Sequence, residues 1–406
     1  MISLLPSHAA TRSLIYSTLA ASVSRGLFVT ISIIYFTKQI GLTATQVGLG
    51  MTIAAVAGMF SGVPAGYVAD RAGPRGIAVL LGVIRSAFLL LYLAVDNFLF
   101  FVLVACAIAV FDAAGGAARG ALLASVVPSE DRVKARAILR SVTNVGWVAG
   151  AAAAGVALHY NTWTAYAAMF VICAAASLAS ALLNLRIPAV APIPRAASGP
   201  KLVVLRDRPY LSLAVLNGIL CIHYGMLNVA VPLWVSERTN APAWVIAGLA
   251  ATNATVVVFL QIRASRGTAD VDGAARAQRA SGLLLLGGCL LYALAAGQPA
   301  WVAAAFLFAG ALVHVVGELR QAAGSWGIAF GLAPDHAQGQ YQGLYDTGFS
   351  LANIIAPALL TTVVIGWGFG GWLLFGVIFA VTGLAVPPVA RWAQRTRVQE
   401  KELVPA

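Results

Sequence analysis

A few residues able to carry charge or a proton sit inside long apolar stretches, and these are where chemistry could occur. Asp112 lies in FDAAGGAARG and Glu318 in HVVGELRQ, while Arg25, Arg85, Arg119, Arg140, Arg320, His223, His314 and Asp346 fall within or at the edges of other apolar blocks. An ionisable group in lipid is costly and normally faces a wet cavity or a partner. Two readings of the carboxylates stay open. Either Asp112 and Glu318 line a cavity where one carries a coupling proton, or both are held in structural ion pairs with Arg25, Arg85, Arg119 or Arg320. His314 precedes Glu318 by four residues and Gln321 follows it by three, so all three share a helix face and could hold or relay a proton. His223 and His314 suit either proton transfer or hydrogen bonding between helices. Arg25 favours an anionic substrate group and the carboxylates a cation.

The elements that hold these residues follow from composition. Of 406 residues, 60% are hydrophobic and 10% charged, and the mean hydropathy is +0.86. A soluble globule carries roughly 25% charged residues, so cytosolic enzymes and secreted domains are excluded. Long apolar blocks, rather than ten-residue alternation, mean helices and not a barrel. The net charge of +12 lies in short loops between the blocks, where it signals orientation and not nucleic-acid binding. The first residues show no removable signal pattern. Cys106, Cys173, Cys221 and Cys289 lie in apolar stretches without CxxC spacing and read as small buried hydrophobes. Neither a metal site nor a cofactor is expected. There is no Walker lysine motif, HExxH or nucleophile elbow, and the loops are too short for a catalytic domain, so an enzyme is not expected.

A hydrocarbon core about 30 Å thick takes roughly 20 helical residues. Division at polar and Gly/Pro breaks gives twelve spans, from residues 13–36 to residues 369–390, among them 45–67, 280–297 and 300–322. With a cytoplasmic N-terminus, 19 Lys and Arg fall in cytoplasmic segments against two, Lys38 and Arg238, on the other side. That asymmetry places both termini in the cytoplasm. Trp163, Trp234, Trp244, Trp301, Trp367 and Trp372 then fall at outer helix ends, as an interfacial belt. The proline-rich stretch 186–208 divides residues 1–185 and 209–390, two bundles of six helices, and 391–406 forms a cytoplasmic tail. An offset of 206 residues relates the halves: Pro128 falls on Pro334, Asp112 on Glu318 and Arg140 on Asp346. Two parallel repeats of this kind suggest a midplane site.

After the second span comes GYVADRAGPRG, with Gly66, Asp70, Arg71, Gly73 and Arg75. It resembles the loop-2/3 signature of the major facilitator superfamily, roughly G-x-x-x-D-R-x-G-R-R, except that the closing basic pair is incomplete: Pro74 stands beside Arg75, and Gly76 follows. Span five carries Gly146, Gly150, Ala151, Ala154 and Gly155, similar to the family's antiporter signature but with Ala151 in place of its proline; the small-residue face for close helix packing is retained, and Gly146, Gly150 and Gly155 are its packing motif. Asp112 stands where the family often has an arginine. The resemblance implies an all-α membrane protein of twelve helices in two pseudo-symmetric bundles. It implies a secondary transporter in a bacterial cytoplasmic membrane, acting by alternating access as a monomer on a small molecule. Proton-coupled efflux of a drug or natural product is the expected function. An importer or facilitator of a metabolite is the alternative, and a non-transporting receptor or channel the alternative of another class. Asp70 is expected to form a cytoplasmic latch with the start of span eleven near Gly343, and with Arg119 or Arg71. Arg119, Arg140 and Asp346 are assigned to charge relay between the halves.

Overall fold

A computed structural model of the chain describes residues 9–189, 191 and 202–402; most of the proline-rich join, including Arg195 and Lys201, lies outside the described residues. Among them there is no strand. The helices are α1 (Ala9–Ile34), α2 (Ala44–Met59), α3 (Gly62–Ala72), α4 (Pro74–Leu91), α5 (Phe98–Val126), α6 (Arg132–Tyr160), α7 (Trp163–Leu183), α8 (Arg208–Cys221), α9 (Val231–Arg238), α10 (Trp244–Ala264), α11 (Val271–Leu294), α12 (Ala300–Leu332), α13 (Gln338–Leu360) and α14 (Phe369–Glu402). Eleven spans are long and apolar enough to cross a bilayer, α8 and α9 counting as one, and the pair α2 and α3, bent by 43°, makes a twelfth if taken as one crossing.

Local chemistry fixes the helix starts. Thr43 opens α2 with a reciprocal capping box to Gln46, and Asn97, Thr162, Asp207 and Asp270 each accept a backbone N–H in the first turn of α5, α7, α8 and α11. Gly73, at φ 94°, makes the left-handed corner between α3 and α4. Pro74 then occupies the first turn of α4, where its missing N–H costs nothing.

The helices outrun the apolar blocks. Span nine begins at Val271 rather than 280, span ten ends at Leu332 rather than 322, and α14 continues through the basic residues expected in a tail. At 1.5 Å per residue, the 33 residues of α12 reach about 50 Å, well beyond a hydrocarbon core of about 30 Å. Hydropathy marks the lipid-facing part of a helix, and a polar continuation can stay helical beyond it.

The described residues form two compact units. The first comprises those of Met1–Pro128, Ile138–Val203 and Ala333–Thr347; the second, those of Ser129–Ala137, Val204–Leu332 and Gly348–Ala406. In the first, α2 packs on α5, α1 on α7, and α4 on both α5 and α7. In the second, α10 packs on α12, α8 on α14, and α11 on both α12 and α14. Matched in chain order, these are the same pairings. An aromatic core of Tyr35, Phe36, Tyr92, Phe101 and Phe170 fills the first unit. In the second, Trp234 and Trp372 meet edge to face at 5.7 Å, and Trp234 Nε1 donates to the Tyr292 carbonyl. These two tryptophans, 1% and 0% exposed, belong to the core and not to an interfacial belt. Trp163, Trp244, Trp301 and Trp367 are the exposed ones.

Candidate functional site

The first unit holds a charged centre on Asp112. Arg25 Nη2 of α1 lies 2.6 Å from Asp112 Oδ2 of α5, and Arg85 Nε of α4 lies 3.1 Å from Oδ1. Arg85 Nη1 also donates to Ser177 Oγ of α7 at 2.7 Å, so four helices meet at this carboxylate. The small-residue run after Asp112 leaves room for the guanidiniums. Arg25, Arg85, Asp112 and Arg119 line a cavity of about 20 Å³ with Ser177 and Asn184. That holds a water or two, or the head of an acidic group, but not a whole organic substrate. Arg85 keeps 10% of its side chain exposed, whereas Arg25 and Asp112 keep 39% and 31%. The Arg25 side of the centre is therefore the accessible one.

Arg25 is held in place by the packing of α1 on α6. A Cβ at Gly150 would stand 2.3 Å from the Val23 carbonyl oxygen, and one at Gly146 2.7 Å from Ser22 Cβ. Gly155, expected on the same packing face, has nothing within 4 Å of its Cβ position. Arg140 of α6 is half-buried.

The loop motif acts at the start of α13, within the first unit. Asp70 Oδ1 accepts from Gly339 N at 2.7 Å and Oδ2 from Gln340 N at 3.1 Å, so its charge faces a helix N-terminus. These donors precede the expected Gly343 by a turn because α13 starts at Gln338. Gly343 instead packs against Gly62, and Gly66 lies so close that its Cβ would stand 2.2 Å from the Gly339 oxygen. Arg71 sits 4.7 Å over the Tyr67 ring, and Arg75 donates to the Ile187 carbonyl. The Asp346 carboxylate lies against Gly116, 3.9 Å from where its Cβ would be.

The second unit holds a counterpart around Glu318. His223 Nδ1 and His314 Nε2 lie 3.1 Å apart, Tyr292 Oη lies 3.4 Å from His314 Nδ1, and Asn253 Nδ2 donates to Glu318 Oε2 at 2.9 Å. His223, His314 and Glu318 are buried. Their ligand atoms all lie within 4.8 Å of one another, a grouping that sequence spacing did not suggest. A π-helical turn, Met226–Ala230, follows His223, and such turns recur where helices are adapted for function. Nearby, Asn217 Oδ1 accepts from both Gln321 Nε2 and Gln278 Nε2. Sequence reasoning passed over Asn253, Asn217 and Gln278, although a carboxamide within an apolar span is itself a signal of hydrogen bonding between helices.

Asp112 and Glu318, equivalent by the offset, thus differ in surroundings: guanidiniums on one, a carboxamide and a nearby imidazole pair on the other. All four cysteines are free thiols.

Two matched helical units with buried polar centres define a polytopic membrane transporter fold. The family model of the Major Facilitator Superfamily matches residues 14–357, and the chain belongs to that superfamily. Comparison with curated protein sequences finds no match. Among solved structures, a bacterial homologue of the iron transporter ferroportin, in an outward-facing state, is similar with a TM-score of 0.76 at 13% identity, over 96% of this chain and 100% of that one. The human organic anion transporter MFSD10 (TETRAN) is similar at 0.69 and 13%, over 93% and 98%. The transporter FucP, in the outward conformation, is similar at 0.68 and 15%, over 95% and 98%. The protein is a multi-pass membrane transporter.

Proposed function

We propose that this chain is a proton-coupled secondary transporter for a small organic molecule bearing an acidic group. It works by alternating access, as a monomer, in a bacterial cytoplasmic membrane with both termini inside. The observation that carries this reading is the Arg25–Asp112–Arg85 centre. Two guanidiniums on one carboxylate leave an excess of positive charge at this centre. An incoming anion competes with Asp112 for the same guanidiniums, and once it takes Arg25 the released carboxylate is neutralised by a proton. Anion and proton then favour each other's binding by an equal, reciprocal free energy. Asp70, at the start of α13, serves as the cytoplasmic latch.

Because anion and proton occupy the centre together, this geometry supports movement in one direction down the proton gradient, and so uptake. Efflux is the second reading, supported by Gly146 and Gly150, which keep the close helix packing of the antiporter-like motif. The test is transport in proteoliposomes with an imposed pH gradient, using a panel of organic acids, amines and neutral compounds. Acids should be accumulated with the proton, and Asp112→Asn should retain exchange at zero gradient but lose gradient-driven accumulation. Amines alone being carried, or undiminished accumulation by Asp112→Asn, would overturn the reading. Drug resistance in an efflux-deficient host, abolished by a protonophore, would favour efflux.

A further inference from the structure

We infer that His223, His314 and Glu318 form a binding site for a divalent first-row transition-metal cation. The site lies in the second unit and does not rest on the Asp112 reading. Two imidazoles and a carboxylate are a donor set of intermediate softness, suited to ions such as Zn²⁺, Co²⁺ or Fe²⁺. Their ligand atoms come from His223, at the end of α8, and from one face of α12, where His314 and Glu318 are four residues apart. The spacing fits. Two nitrogens each about 2.1 Å from one ion are about 3.0 Å apart at a right angle and about 3.4 Å at the tetrahedral angle, and the 3.1 Å between His223 Nδ1 and His314 Nε2 falls between the two. All three ligand atoms lie within 4.8 Å of one another, so a small shift of the Glu318 carboxylate would bring the set onto one ion.

The outer partners supply a second, independent observation. Ligating histidines and carboxylates are usually held by hydrogen bonds on their far atoms, which fix tautomer and aim. Here Tyr292 Oη lies 3.4 Å from His314 Nδ1; in the tautomer that carries its proton on Nδ1, that N–H has the phenol oxygen as acceptor and Nε2 is the lone-pair donor to metal. Asn253 holds Glu318 Oε2 at 2.9 Å, and the Tyr224 ring lies against His223 with centroids 4.1 Å apart. In that tautomer of His314 the hydrogen bond between the two imidazoles has its proton on His223 Nδ1. Metal binding requires His223 to carry its proton on Nε2 instead. Three protein ligands leave a coordination position open, which suits an ion held for exchange better than one holding the fold together.

The test uses the full-length protein, purified without a polyhistidine tag and carrying His8, His159 and His336 replaced by Asn. Only His223 and His314 then remain as imidazoles. Titration with Co²⁺ should give one saturable site per chain, with ligand-field bands in the visible. Pulsed electron paramagnetic resonance of the Cu²⁺-loaded protein should show two coordinated imidazole nitrogens. His223→Ala and His314→Ala should each abolish saturable Co²⁺ binding, and Asn253→Ala should weaken it by roughly tenfold. Asp112→Asn should leave it unchanged, so failure here is distinguishable from failure of the proton and anion reading. Absence of a saturable Co²⁺ site, or a Cu²⁺ spectrum without imidazole coupling, overturns the proposal even if the alanine variants do not fold. So does unaltered binding by both variants, since the histidines would then only join two helices.

Discussion

Arg85 and Asp112 show what one side chain contributes at the first centre. Removing Asp112 leaves Arg85, 8% exposed, with Ser177 as its remaining hydrogen-bond acceptor at that centre. Breaking a fully buried pair costs roughly 3–5 kcal/mol. Asp112 keeps 31% of its side chain exposed, so water offsets part of that cost. Asp112→Ala should therefore lower stability by about 2–3 kcal/mol. The double variant Asp112→Leu with Arg85→Met should recover part of it, because the more deeply buried of the two guanidiniums then goes with its carboxylate and only the partly exposed Arg25 loses its partner. Thermal unfolding in detergent across the double-mutant cycle measures the coupling, and strictly additive losses would show that the pair does not interact. At this scale the sequence marked Arg25, Asp112, Glu318 and both histidines, because a polar residue in an apolar run stands out. It could not say which arginine meets Asp112, nor that His223 meets His314 across 91 residues. Those pairings depend on how helices turn toward one another, which no local spacing encodes.

At the scale of the helix, small residues decide how closely two backbones approach. A Cβ added at Gly150 would sit 2.3 Å from the Val23 oxygen, so any side chain there pushes α6 away from α1, the helix that carries Arg25. Gly150→Val should cost about 1–3 kcal/mol from overpacking and also impair transport, since Arg25 moves with α1. Gly155→Val, with nothing within 4 Å of its Cβ position, should be close to neutral. Folding yield and melting temperature of the two variants make the comparison, and equal losses would mean that helix propensity rather than packing sets the cost. The packing motif was legible as a run of Gly and Ala, but which glycine touches a neighbour was not. Helix ends were misread for a similar reason. Asp270 caps α11 ten residues before the apolar block begins, and hydropathy is blind to a capping carboxylate. Trp234 and Trp372 were placed in a belt because tryptophan favours interfaces, yet each also buries a large apolar surface and Trp234 finds its acceptor inside the unit.

For the whole molecule, the internal repeat was more legible than any site within it. An offset of 206 residues, carried by two prolines and a few polar positions, corresponds to a recurring set of pairings: α2 on α5 and α10 on α12, α1 on α7 and α8 on α14. A duplicated packing scheme survives sequence divergence because it depends on which faces are small or apolar, not on residue identity. Orientation in the membrane rests on charge instead. The split of 19 basic residues against two acts through insertion, when Lys and Arg resist translocation, and with twelve crossings it predicts both termini on the cytoplasmic side. Glu237, at the end of α9, and Arg266, after α10, are both exposed and flank a single span. In a background with Cys106, Cys173, Cys221 and Cys289 replaced by serine or alanine, Glu237→Cys should react with an impermeant maleimide added to intact cells. Arg266→Cys should react only after the membrane is opened. The reverse pattern would invert the topology and move Asp70 to the outer side. Labelling of both from outside would mean that α10, for all its apolar length, does not cross.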